Sequence, residues 1–156
     1  MIDAVRIAAL IAVLSTGVVY GTDVFCALVQ RPALARVDDR ALATVMGNVH
    51  RYGDRRMPIP GVLGIIAAAT CAAVAAIAGR WVEVIPAATA VGLLLAWIAL
   101  YRIVSAPINR QLTQAAAVGD VPANVRALQR NWDGIITDRA VLQGLAVAAL
   151  CVTFFI

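Results

Sequence analysis

"STGVVYGTDVF", Ser15 to Phe25, decides how the rest of the chain is read. It lies inside an apolar run from about Ala4 to Val29, yet it carries two glycines, a tyrosine and an aspartate. About 20 apolar residues cross a hydrocarbon core ~30 Å thick. An ionisable group inside such a segment costs a few kcal/mol unless it meets a partner or a wet cavity. The stretch therefore predicts a membrane helix with one face turned to a protein interior.

Three further runs qualify as spans: Ile59 to Ala78, Val84 to Val104, and Ala140 to Ile156, the last extended by the helix before it. The composition agrees. Of 156 residues, 62% are hydrophobic and 14% charged, with mean hydropathy +0.86, far more apolar than a water-soluble domain. The expectation is an all-α integral membrane four-helix bundle, one domain over 1–156, in contact with the lipid bilayer. The first run is too long for a signal peptide's apolar core, and Phe25 is too large for a lipoprotein cleavage site before Cys26. Cys26, Cys71 and Cys151 fall in separate spans without paired spacing, as small buried apolar residues do.

Every cationic side chain but His50 is arginine. The Ala, Val and Arg richness reads as the bias of a GC-rich bacterial genome, and no basic patch interleaved with aromatics points to nucleic acid. Eleven of the thirteen arginines sit in two long connections, Arg31 to Arg56 and Arg102 to Arg139. By the positive-inside rule both connections are cytoplasmic and both termini outside, in a multi-pass bacterial cytoplasmic-membrane protein.

Each connection contains an amphipathic helix. "VDDRALATVMGNVHRY" opens on Asp38 or Asp39 as N-cap and places Leu42, Val45, Met46 and Val49 on one face. "GDVPANVRALQRNWDGIITDR" opens on Asp120 as cap with Pro122 in the first turn. There Val125, Leu128, Trp132, Ile135 and Arg139 form a stripe into the fourth span.

The polar residues gather at one end. Gly17 and Gly21 form a GxxxG that suits close helix packing. Thr16, Tyr20 and Asp23 run beside them as a polar stripe, and Asp23 either pairs with Arg139 or serves a site. Trp97, Tyr101 and Ser105 recur every four residues, with Asn109 beyond them. This set fits a pocket for an amphiphilic organic molecule, or an interfacial belt of aromatic and arginine anchors. His50 borders the apolar face of its helix at the membrane surface. One histidine with scattered carboxylates makes no metal ligand set. No phosphate loop or nucleophile elbow is present.

"RPALARVDD" after the first span, "APINRQL" after the third and "NWDGIITDR" before the fourth resemble the anthrone-oxygenase-like family of small four-helix membrane proteins. Pro107, Asn109 and Arg110, with Trp132, Asp133 and Arg139, carry the likeness most specifically; Gly21 and Pro32 also match. The chain departs at Ile136, where members often have histidine, and at His50, where they often have asparagine. The resemblance implies O₂-dependent oxidation of an anthrone-like, planar phenolic substrate without a tightly bound cofactor. His50 is then the base, with Asp23 as a substitute, and Arg139 and Asn109 steady the oxyanion. Tyr20, Trp97, Tyr101 and Trp132 complete the substrate lining. Two other functions stay open: a non-catalytic membrane binding or scaffold protein, and a small proton-coupled exporter. Homo-oligomerisation also stays open.

Overall fold

The computed structural model describes residues 2–156, with side chains from residue 4 onward. Its elements are α1 (Ile2–Phe25), α2 (Arg31–Leu34), α3 (Asp39–Arg56), α4 (Pro58–Ile77), α5 (Trp81–Leu100), α6 (Ala106–Val118) and α7 (Val125–Val152). Wider π turns, Cys26–Gln30 and Tyr101–Ser105, join α1 to α2 and α5 to α6. The fold is all-α, with four helices long and apolar enough to cross a membrane, so this is a multi-pass membrane protein.

Helices α1, α4, α5 and α7 form the bundle, each packed on its chain neighbours, with α7 closing back on α1. At one end, here the arginine-rich end, α3 packs on α6 and caps the bundle. Short α4–α5 linkage at the opposite end uses the left-handed Gly79 (φ 70°), a conformation other residues avoid.

Both π turns precede a proline by the same count. The N–H of Arg31 reaches Cys26 O and that of Ala106 reaches Tyr101 O, just ahead of Pro32 and Pro107. The wider turn accommodates a residue with no N–H to donate and re-aims the helix without ending it. This corrects the expected boundaries. The third span continues into α6, and that helix, not Asp120, begins the second connection. Asp120 follows the left-handed Gly119 and donates its N–H to Ala115 O, sealing the end of α6. Helix α7 starts only at Val125 and stops at Val152, short of Ile156. At the start of α3, Asp38 is the cap, accepting from the Ala41 N–H at 2.7 Å.

Two predicted faces are rotated slightly. Helix α3 buries Leu42, Ala43, Met46, Gly47 and His50, while Val45 and Val49 are exposed at its rim. In α7, Ile136 is fully buried and Ile135 only half-buried.

The glycines reverse the expectation. A Cβ at Gly17 or Gly21 would meet nothing within 4 Å, so among the described residues the GxxxG packs against no other helix. The close approaches are elsewhere. A Cβ at Gly64 on α4 would lie 2.6 Å from Thr16 Oγ1, and one at Gly144 on α7 would lie 3.0 Å from Tyr20 Cε2. Thus Thr16 and Tyr20 seat α1 against α4 and α7 through glycines on the partner helices.

Candidate functional site

Asp23 points from α1 into the bundle and is 3% exposed; Arg139 on α7 meets it and is 6% exposed. Arg139 Nη2 donates to Asp23 Oδ1 at 2.9 Å, and Nη1 donates to Ser105 Oγ at 2.9 Å. Gln143 Nε2 donates to Asp23 Oδ2 at 2.6 Å, and Trp97 Nε1 donates to the same oxygen at 3.4 Å. A charge pair out of water is less costly the more of its remaining hydrogen-bonding capacity is met. Here both carboxylate oxygens are met, so Asp23 acts as an organiser that ties α1, α5 and α7 together.

A second carboxylate organises the next layer. Asp54 Oδ1 accepts from Tyr101 Oη at 2.9 Å and from Asn109 Nδ2 at 2.8 Å, linking α3 to the α5–α6 junction. The Arg139 guanidinium lies 5.6 Å from the Tyr101 ring centroid and 5.8 Å from that of Trp132, within cation–π range of both. Trp132 in turn stands 5.5 Å from His50, their rings tilted by 51°.

These side chains surround a cavity of about 140 Å³. Its walls are mostly apolar, but Asp23, His50, Asp54, Trp97, Tyr101, Asn109, Trp132 and Arg139 all line it. Val49, Pro58 and Val62 line it too and are exposed, so it opens on the apolar flank where α3 passes into α4. Five buried polar atoms on residues that line it have no partner: Gln30 Oε1, His50 Nε2, Asn109 Oδ1, Trp132 Nε1 and Arg139 Nε. Buried polar atoms are nearly always bonded, and a cluster of exceptions around one cavity marks where a ligand's groups or water would sit.

His50 lies on α3, outside the spans. Burial pushes its imidazole down to about 4, with Asp54 pulling up and Arg139 pushing further down. The ring is therefore neutral at ordinary pH, and its free Nε2 can accept a hydrogen bond or take a proton from an acid whose anion is stabilised alongside.

The structure brings seven of the eight sequence-derived site residues together. Tyr20 is the exception: it lies against Gly144 and does not line the cavity. Asp54 and Gln143 had been missed. Each follows a recognised residue by four positions on the same helix face, His50 and Arg139 respectively, which is the only signal the sequence carries for them. Among the described residues no group of His, Cys, Asp and Glu stands close enough to hold a metal ion. Compared with protein-family models, curated proteins and solved structures, the chain matches none.

Proposed function

We propose that the protein is a membrane-embedded oxidoreductase that binds a planar, lipophilic phenol at this cavity and oxidises it with O₂. The observation that carries the reading is the set of unpartnered groups on one apolar cavity. Trp132 Nε1 and Arg139 Nε supply donors, while His50 Nε2, Asn109 Oδ1 and Gln30 Oε1 supply acceptors. A phenolic hydroxyl accepts and donates at one atom, and its ring fills the apolar remainder. The opening on the bundle's apolar flank suits a ligand arriving from the lipid phase.

The chemistry needs no residue beyond these. In a hydroxyanthrone, conjugation acidifies a ring methylene. A base as weak as His50 can remove its proton where the resulting oxyanion is held by Arg139 and Trp132 at the same moment. The electron-rich enolate then gives electrons to O₂. The methylene becomes a carbonyl, one oxygen atom enters the product, and the other leaves as water with the two hydrogens. The four-electron balance closes without another reductant. The resemblance of the "APINRQL" and "NWDGIITDR" segments supports the same class of reaction.

The test is O₂ uptake during conversion of a hydroxyanthrone by proteoliposomes, against empty liposomes as the autoxidation control. One O₂ consumed per quinone formed, with the enhancement lost in His50→Ala, supports the oxygenase reading; rates equal to the control contradict it. A second reading, a non-catalytic binding protein, draws on size. A cavity near 150 Å³ holds about one benzene ring, so a larger polycycle would leave its other rings in the mouth. Saturable binding without turnover would select it. We further propose that the arginine-rich end faces the cytoplasm of a bacterial cell. An Arg55→Cys variant should then resist an impermeant maleimide in intact cells; rapid labelling would invert the topology.

A further inference from the structure

A second cleft lies outside the bundle, where α2 and the start of α3 meet the start of α7. It encloses about 460 Å³, over three times the volume beside His50. Leu34 and Leu42, both buried, contribute to its lining, along with Arg31, Arg126, Arg130 and Gln129. Arg126 is a brace. It donates to Asp39 Oδ1 at 2.6 Å, to Leu34 O at 3.2 Å and to Val37 O, fixing the chain between α2 and α3 against α7. Arg31 and Arg130 are different: among the described residues neither has a carboxylate within ion-pair distance. The lining holds one acid, Asp133, which accepts from Gln129 Nε2 at 2.9 Å. Gln129 is 4% exposed, and its Oε1 has no partner.

From this arrangement we infer a binding site for an anionic phospholipid with a hydroxylated headgroup, of the phosphatidylglycerol type. Two unpaired guanidiniums match a phosphodiester, because their planar forks reach two oxygens at once. The free Gln129 oxygen accepts from a headgroup hydroxyl. A lipid is favoured over a soluble anion by what adjoins the cleft. Phe25, Leu28 and Val29 are exposed at 55%, 71% and 52% on the last turns before Arg31, where acyl chains would lie. The flank at Gly17 and Gly21 continues along the same helix, and a Cβ at either would meet no described atom within 4 Å. The cleft also sits at the arginine-rich end, the level at which headgroups meet the protein.

The experiment uses the full chain in nanodiscs of phosphatidylcholine doped with phosphatidylglycerol, with retained lipid read by native mass spectrometry. Phosphatidylglycerol should be retained over phosphatidylcholine, and Arg31→Gln with Arg130→Gln should weaken it roughly thirtyfold, about fivefold per arginine. Removing the same charge elsewhere, Arg55→Gln with Arg56→Gln, should leave retention largely intact. Gln129→Met should narrow the preference for phosphatidylglycerol over phosphatidic acid. Should the double variant assemble poorly, Arg130→Lys keeps the charge, loses the fork and should still weaken retention. Equal losses for the two arginine pairs would reduce the site to diffuse attraction and overturn it. Displacement of the lipid by equimolar glycerol phosphate would make it a soluble-anion site and overturn it as well.

Discussion

The two ends of the bundle are built on opposite terms. Away from the arginine-rich end the interior is nearly all small residues: Ala68, Cys71, Ala75, Ala87 and Ala90 are each fully buried. Short side chains let backbones approach closely and leave little unfilled. Among the described residues the one buried acid there, Glu83, pairs with Arg80 three positions earlier on the same stretch of chain. Such a pair fixes little beyond the first turn of α5. At the arginine-rich end the interior is Trp97, Tyr101, Trp132, Arg139 and His50. These planar groups are held apart by Asp23 and Asp54, and they cannot close on one another without a gap. Its acid–base pair joins residues 116 positions apart, and so holds α1 against α7. One end is packed from small side chains, with Arg80 Nη1 and Glu83 Oε2 left over at its edge; the other gathers its unspent hydrogen-bonding capacity around one cavity.

The sharpest way to break that contrast is at the long-range pair. Arg139→Met leaves Asp23 buried and unpaired and should cost about 3–5 kcal/mol in detergent unfolding. Adding Asp23→Leu should restore most of the loss, since two apolar groups replace two charges. A double variant no better than the single would show that the pair does more than balance charge. Next in size, Gly64→Ala should cost about 1–3 kcal/mol, because Thr16 stands where the new methyl would go. Gly17→Ala and Gly21→Ala should be neutral or stabilising by up to about 1 kcal/mol, as exposed helix positions are. Similar losses at all three would place a second helix against the GxxxG.

Smaller effects probe the cavity. Trp132→Phe keeps an aromatic ring, though a smaller one, and removes the free N–H, and should weaken phenol binding by about 1 kcal/mol, roughly fivefold in a fluorescence titration. The gentlest prediction concerns pH. Because burial lowers the folded His50 pKa from 6.5 to about 4, the folded ring refuses a proton that the unfolded chain accepts. Its contribution to stability is full above 6.5 and is lost as pH falls toward about 4. Binding of a neutral phenol should likewise stay flat down to about pH 5 and decline only below it. A midpoint near 6.5 would mean that His50 is solvated.

The apolar runs made the spans legible because a bilayer imposes length and polarity together. The cost of burying Asp23 likewise pointed to Arg139, and the structure forms that pair. Other features stayed hidden for definite reasons. GxxxG reports which residues could pack closely, whereas the face turned inward was set by Asp23, which carried Gly17 and Gly21 outward. Pro107 reads as a break, but the π turn before it lets α6 continue. Asp54 sits among Arg51, Arg55 and Arg56, so it reads as part of a solvated turn. Only the docking of α6 on α3, a contact between distant parts of the chain, gives it Tyr101 and Asn109 as partners.

We propose that the unpartnered atoms beside His50 form a phenol site. A direct test is titration of the reconstituted protein with 2-naphthol, whose hydroxyl-bearing ring fits the cavity while its second ring reaches the mouth, read by tryptophan fluorescence. A phenol site should give saturable quenching that His50→Ala weakens about tenfold, with naphthalene, which lacks the hydroxyl, failing to saturate. Equal, non-saturating quenching by both compounds in both proteins would show simple partition into lipid and contradict it.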